Sequence, residues 1–384
     1  MSEERKISAH RRSMCQTTQR DSIVPHQEPL SAIKTTESPV SVYTEWDPLE
    51  EVIVGVVNGS CVPEWDRMIE ATSPEKHADF FQRQGGKPFS PELIQVANTE
   101  LEEFVNILEG EGVKVRRPEE IDFSVSYSTP NWKMKSGLYA AMPRDCLLIF
   151  GNEIIECPMA WRSRYHELDA FKPLLKEYFH QGAHWTSAPR PQLKEELYDK
   201  GYDKKGGYVA TEFEPVFDAA DFIRCGKDIF CQRSHVTNEF GIEWLRRHLD
   251  GKYKIHVLEV NDPAPMHIDA TLLPLAPGKL LVNSERLGKV PDIFRSWDIL
   301  EAPEPCVFDD YPLYMTSEWI SMNVLMLDEK RVLVEKGEEA LIKSLRSWGF
   351  VPILCSFKNF NSFGGAFHCA TLDIRRKGGL QSYF

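Results

Sequence analysis

Near its C-terminus the chain runs Asn361-Ser362-Phe363-Gly364-Gly365-Ala366-Phe367-His368-Cys369-Ala370-Thr371. The thiol of Cys369 raises the first chemical question. A free thiol has a pKa of about 8.5, so near neutral pH little of it is thiolate unless a neighbour helps. An imidazole gives that help and can later pass the proton to a leaving group. His368 is adjacent to Cys369, and on a strand adjacent side chains point to opposite faces, which gives His368 a structural or outer role. His267, in Pro265-Met266-His267-Ile268-Asp269-Ala270-Thr271, is the better base. If that stretch is a strand, His267 and Asp269 share a face. A carboxylate behind the imidazole would fix its tautomer, and Asp218, in Phe217-Asp218-Ala219-Ala220-Asp221, is the candidate. Asp145, in Met142-Pro143-Arg144-Asp145, and Asp269 suit a planar cation rich in N–H donors, such as a guanidinium. Taken singly, each residue has an ordinary role too: a buried inert thiol, a turn carboxylate, a satisfied core histidine.

What joins them is their place in a repeat. Residues 90–118 start at Ser90-Pro91 and carry Leu93, Ala97, Leu101, Phe104, Val105 and Leu108 at helical spacing. They stop at Gly110–Gly112 and leave on a strand, Val113–Arg116. The same helix–glycine–strand phrase returns at 165–185, 241–260 and 338–357, with a weaker copy at 290–303. Between these phrases lies another, a polar turn and a short apolar strand, at 49–55, 144–150, 226–231, 278–283 and 329–334. Several are preceded by a further strand and so read as hairpins. The economical architecture is an α/β ring of five ββαβ units, a five-bladed α/β propeller with pseudo-fivefold symmetry, because closure covers the apolar face each unit leaves open. Residues 368–376 then supply the first strand of a hairpin whose second strand is 49–55. Asp145, Asp218, Asp221, His267, Asp269, Ser317 and Cys369 all fall where a hairpin begins or in the neighbouring turn, so rotation about one axis would gather them.

Composition narrows the class. The chain has 384 residues, 42% apolar and 27% charged, which is enough for a sizeable core. Its net charge of −13 argues against nucleic-acid or anionic-membrane partners, and no run is long and apolar enough to span a membrane. The nine cysteines are odd in number and contain no CxxC pair, and no secretory segment opens the chain. These features point to a reducing, cytoplasmic setting. His180 and His184 are four apart, but Gly182 breaks the helix that would align them, so no metal site is expected. Residues 1–40 are polar and weakly periodic and read as a mobile N-terminal arm. Arg11, Arg12 and Arg20 hint at a transit peptide, which Glu3, Glu4 and Asp21 oppose. Residues 41–384 read as a single domain.

Four stretches, 213–249, 265–271, 321–332 and 364–383, closely resemble the glycine amidinotransferases, which move an amidino group from arginine to an amine. The resemblance extends from about Val42 to the end of the chain. It implies the pentein fold of guanidino-modifying enzymes, the same five-bladed α/β propeller. It also implies that Cys369 is the nucleophile, His267 the catalytic histidine and Asp218 its partner. Asp145 and Asp269 would hold the guanidino group, and Arg286 the amino-acid carboxylate. A Ser-Ser pair of the family stands here as Thr316-Ser317. Beside Met266, an Asn-Pro-Met-His stretch of glycine-using members appears as Ala264-Pro265-Met266-His267, which removes an amide and opens volume. The acceptor is therefore expected to be glycine or a larger primary amine, as in microbial toxin pathways such as those to saxitoxin or cylindrospermopsin. The implied partners are L-arginine and that amine, with no cofactor and a homodimeric assembly. An arginine deiminase-type hydrolase, yielding citrulline and ammonia, could use the same residues, and an arginine-binding protein with an inert Cys369 is the non-enzymatic rival.

Overall fold

The helix–glycine–strand phrases fold as their spacing predicts. In a computed structural model describing residues 37–204, 206–306 and 315–384, helix Pro91–Gly110 starts where the Ser90 side chain accepts from the backbone N–H of Leu93. It buries Ala97, Leu101, Phe104, Val105 and Leu108. Helices Lys172–His180, Glu239–His248 and Glu339–Ser347 likewise bury apolar side chains and are each followed by a short strand, and of the three Glu239–His248 is also capped, by Asn238. The weak copy differs. Between Pro291 and strand Asp298–Glu301 there is room only for the 3₁₀ turn Asp292–Phe294.

Among the described residues five three-stranded sheets result, each an antiparallel hairpin whose second strand pairs in parallel with a third. In chain order four of them are Leu147–Phe150 with Glu153–Glu156 and His184–Ser187, Phe222–Cys225 with Asp228–Gln232 and Lys254–Leu258, Leu272–Ala276 with Lys279–Val282 and Asp298–Glu301, and Leu325–Met326 with Arg331–Glu335 and Val351–Cys355. The fifth joins the chain ends: Leu49–Val54 lies between Thr371–Arg376, antiparallel, and Lys114–Arg116, parallel. The end-to-end hairpin expected from the repeat is thus present, with Val54 opposite Thr371. One register differs from expectation. Residues 147–150 form the first strand of their hairpin, and Glu153–Glu156 takes the central place after a turn at Gly151, whose φ of +60° suits a residue without Cβ. A small hairpin, Tyr127–Ser128 with Lys133–Met134, stands outside the repeat.

The expected arm lies outside the described residues except for 37–40, and there Val40 is already buried. The next residues join three sheets. Ser41 donates to the Ile374 carbonyl at 2.9 Å, Val42 exchanges hydrogen bonds with Gly151, and the Tyr43 carbonyl accepts from Gly226 at 2.9 Å.

Each hairpin is preceded by a tight turn, and these turns touch in sequence. Pro143–Cys146 packs on Ala219–Asp221, that turn on Ile268–Ala270, and that one on Glu318–Met322. The backbone N–H of His368, just before the last hairpin strand, donates to the Asn323 carbonyl. Beneath them lies a buried charge network. Arg224 forks onto Glu45 at 2.7 and 2.8 Å and reaches Asp373 at 2.9 Å, Arg144 meets Asp373 at 2.8 Å, and Arg376 meets it at 2.9 Å.

Burial acts to raise the pKa of both Glu45 and Asp373, but the guanidiniums outweigh it and hold both carboxylates below their ordinary range. A carboxylate with a depressed folded-state pKa stabilises the fold above its unfolded value of about 4, and that contribution is lost as pH falls further. Urea midpoints should therefore drop steeply below about pH 4. Asp373→Asn, which strands buried guanidiniums, should cost about 3–5 kcal/mol at pH 7. A wild-type midpoint unchanged from pH 7 to 3 would contradict this account.

Candidate active site

The turns that open the hairpins carry the reactive groups. Asp145 lies in the turn Pro143–Cys146, Asp218 caps Ala219–Asp221, and His267 caps Ile268–Ala270, which contains Asp269. Ser317 caps Glu318–Met322, and Cys369 precedes strand Thr371–Arg376. One ligand atom each from Asp145, His267 and Cys369 lies within 4.8 Å of the others, and all three residues are buried. His267 Nε2 is 3.2 Å from Asp218 Oδ2, while Nδ1 faces Asp145 Oδ1 at 3.7 Å. The Cys369 thiol lies close enough to the same imidazole to raise its pKa.

The strand geometry assumed for these residues is wrong. His267 has φ +58° and ψ 121°, a conformation costing a residue with a Cβ about 1–3 kcal/mol. Asp269 follows within a 3₁₀ turn, so bending, rather than strand alternation, brings both residues to the site. His368 and Cys369 also lie in a turn, and both touch Asp269: His368 Nδ1 at 2.8 Å and Cys369 Sγ at 3.4 Å from Oδ2. The outer place given to His368 stands, with its Nε2 3.2 Å from Glu45.

Sequence reasoning missed three neighbours. Asn323 donates through Nδ2 to Asp269 at 2.6 Å and to Cys369 Sγ at 3.1 Å, and its Oδ1 accepts from the backbone of Ala366 and Cys369 at 3.0 Å. Its signal was available, because Asn323 just precedes strand Leu325–Met326, nearer the shared repeat position than Ser317. Trp161 donates to Asp218 at 3.0 Å. Arg164 meets Asp145 Oδ2 at 2.9 Å and is itself held by Glu167 at 2.8 Å.

Burial alone would lower the pKa of His267, but Asp145, Asp218 and Cys369 outweigh it and hold the imidazolium well above its ordinary range. Burial, then Asp269 and Asp145, push the Cys369 thiol up to about 12 in spite of His267. Burial likewise raises Asp145. It opposes ionisation of Asp269 too, yet hydrogen bonding from His368 leads the effects that bring this carboxyl below its usual value. Asp145 Oδ1 is buried without a hydrogen-bond partner, so a donor-rich cation placed between the carboxylates would satisfy it and lower the thiol.

A cavity of about 270 Å³ is lined by Cys369, His267, Asp269 and Asn323 together with Asp262, Ala264, Met266, Arg286, Thr316 and Ser317. Arg286 donates through Nη2 to Ser317 Oγ at 2.7 Å. Thr72 and Ser73, unforeseen from sequence, complete part of the wall. A larger open groove of about 1090 Å³ beside helix Pro91–Gly110 contains none of these groups.

The glycine pair before the thiol has a steric reason. Gly364 has φ +96°, and a Cβ on Gly365 would lie 2.6 Å from Cys369 Cβ and 2.6 Å from Met142 Sδ. Gly365→Ala must displace the thiol, and an ångström-scale displacement costs about 100-fold in rate. Turnover of a folded Gly365→Ala protein within twofold of wild type would contradict this packing.

No family model matches the sequence. A solved dimethylarginine dimethylaminohydrolase superposes with a TM-score of 0.52 at 15% identity, covering 84% of this chain and 99% of its own, which places the fold in the α/β pentein class. The chain belongs to the amidinotransferase family. It is 60% identical over 351 residues to L-arginine:L-lysine amidinotransferase of Pseudomonas savastanoi pv. phaseolicola, covering 90% of this chain and 97% of that relative. It is 50% identical over 377 residues to the mitochondrial glycine amidinotransferase of Danio rerio, covering 93% and 89%. A solved amidinotransferase of the saxitoxin biosynthetic pathway from Microseira wollei gives a TM-score of 0.85 at 56% identity, covering 90% and 100%. The protein is a transferase. Among the described residues no helix is long and apolar enough to cross a membrane.

Proposed function

We propose that the enzyme transfers the amidino group of L-arginine to a primary amine by a ping-pong route through an amidino-Cys369 intermediate. The observation that carries this reading is the buried grouping of thiol, imidazole and two carboxylates, one of them with an unpartnered oxygen. Arginine's guanidinium takes its place between Asp145 and Asp269, and its charge offsets the carboxylates that raise the thiol. Cys369 gives up its proton to solvent as the cation binds, and the thiolate attacks the guanidino carbon. His267, steadied by Asp218, protonates the departing nitrogen, the C–N bond breaks and ornithine leaves. The acceptor amine then attacks the amidino carbon, passes its proton to His267, and the C–S bond breaks to release the thiolate, which regains a proton from solvent as the product leaves. Arg286 and Ser317, beside Thr316, hold the amino-acid carboxylate. No step calls on a metal or organic cofactor.

The acceptor we favour is an amine larger than glycine. Ala264 stands at the cavity rim where an amide side chain would take space, and the relative at 60% identity is named for lysine. A role in toxin biosynthesis accords with the likeness to the saxitoxin-pathway enzyme. We further propose that residues 41–384 form one domain, its five sheets closing a pseudo-fivefold propeller through the chain-end sheet. The enzyme is read as a cytoplasmic homodimer without nucleic-acid or membrane partners.

Labelled arginine tests the reaction against the hydrolase alternative. Labelled ornithine should accumulate in step with an amidinated product when a panel of glycine, lysine and longer diamines is offered. Citrulline and ammonia formed without any amine would reject transfer.

A further inference from the structure

We propose that Asp262 reads the α-ammonium of the amino-acid donor, so that Asp262 and Arg286 together recognise a zwitterion rather than a carboxylate alone. This rests on the arginine-donor reading. The two side chains form an ion pair, Arg286 Nη1 to Asp262 Oδ2 at 3.2 Å, with only 14% and 5% of their surfaces exposed. Both line the cavity that contains Cys369 and His267. Asp262 is fixed from behind, its Oδ1 accepting from the Ala264 backbone at 3.0 Å, and its loop is tied to Arg286 where Asn261 donates to the Arg286 carbonyl at 2.6 Å.

A site that needed only to clamp a carboxylate would gain nothing from a resident carboxylate on its arginine. The incoming anion would bind at Nη2 beside Ser317, placing two negative charges on one guanidinium within a few ångströms in a poorly solvated pocket. An α-amino acid resolves the conflict, because its ammonium is only two bonds from its carboxylate carbon. With the carboxylate on Nη2 and Ser317, the ammonium can face Asp262, and each charge has an opposite neighbour. A guanidino acid without the ammonium leaves Asp262 and the substrate carboxylate in mutual repulsion. A site built around a polar partner rejects the analogue lacking it.

The test compares L-arginine with 5-guanidinovalerate, which keeps the carboxylate and chain but lacks the ammonium. Ornithine or 5-aminovalerate release is measured in wild type, Asp262→Asn and Asp262→Ala, and binding of both compounds is measured calorimetrically in the Cys369→Ala background. Wild type should prefer arginine. In Asp262→Asn the KM for arginine should rise about 30-fold or more with kcat changed far less. The KM for 5-guanidinovalerate should stay constant or fall, so that discrimination collapses. Equal weakening toward both compounds would overturn the proposal and leave Asp262 as a support for Arg286. Wild type that binds neither compound would instead overturn the donor reading, and the proposal with it.

Discussion

Replacing Cys369 with alanine should lower arginine-dependent ornithine release by about 10⁴-fold or more, the scale of losing a nucleophile. The effect is this large because nothing else in the cluster can form the bond. On the proposed reading Asp145 and Asp269 hold the cation and His267 moves the proton, but among the described residues no second thiol is positioned there. Cys146, though next to Asp145, points elsewhere, its sulfur 3.6 Å from the Pro143 carbonyl. The substitution should spare the fold, because it removes one sulfur from a site where Asn323 still holds the backbone at 3.0 Å through Oδ1. Arginine affinity should survive within about tenfold, since both carboxylates and Arg286 remain. Cys369→Ser should be nearly as inactive, because a hydroxyl in these acidic surroundings ionises less readily than the thiol it replaces. Release above one-hundredth of the wild-type rate in either variant would remove Cys369 from the mechanism.

His267→Gln should lower kcat by about 10³-fold, within the usual span for general acid–base catalysis, with a smaller change in KM. Glutamine can still meet Asp218, so the variant separates proton transfer from packing. The pH profile carries the sharper signature. Ornithine must leave protonated, so the first half-reaction needs the imidazolium. Asp145 and Asp218 overcome the burial penalty and hold that form well above the ordinary histidine value of about 6.5. Ornithine release by wild type should therefore persist through neutral pH and fall only when His267 loses its proton at higher pH. The variant's residual rate should lack that alkaline limb. A wild-type limb centred below pH 6.5 would mean that the carboxylates do not act on this imidazole as the geometry requires.

Much of the fold could be read from local rules. Ser90-Pro91 and Gly110–Gly112 bracket a helix because capping and left-handed termination are decided within a few residues. The end-to-end hairpin could be read because residues 49–55 needed a partner that no neighbouring phrase supplied. That Asp145, Asp218, His267, Asp269 and Cys369 lie together was legible in the repeat, but the geometry that gathers them was not. His267 and Asp269 are brought together by a strained turn that has no periodic signature. Arg164 was missed because Asp145 lies 19 positions away and only the folded unit brings the two together. The charge network was also beyond reach, since it pairs Arg224 and Arg144 with Asp373 across 149 and 229 positions. Asp262 escaped notice because an aspartate next to a proline reads as an ordinary loop residue until Arg286 is seen against it.

The most direct test is intact-protein and peptide mass spectrometry of enzyme mixed with arginine, without acceptor, and quenched in acid. One amidino group should be found per chain, confined to the peptide bearing Cys369 and discharged when an amine is added before the quench. An unmodified Cys369 in protein that is turning arginine over, or the group found on another residue, would contradict the account.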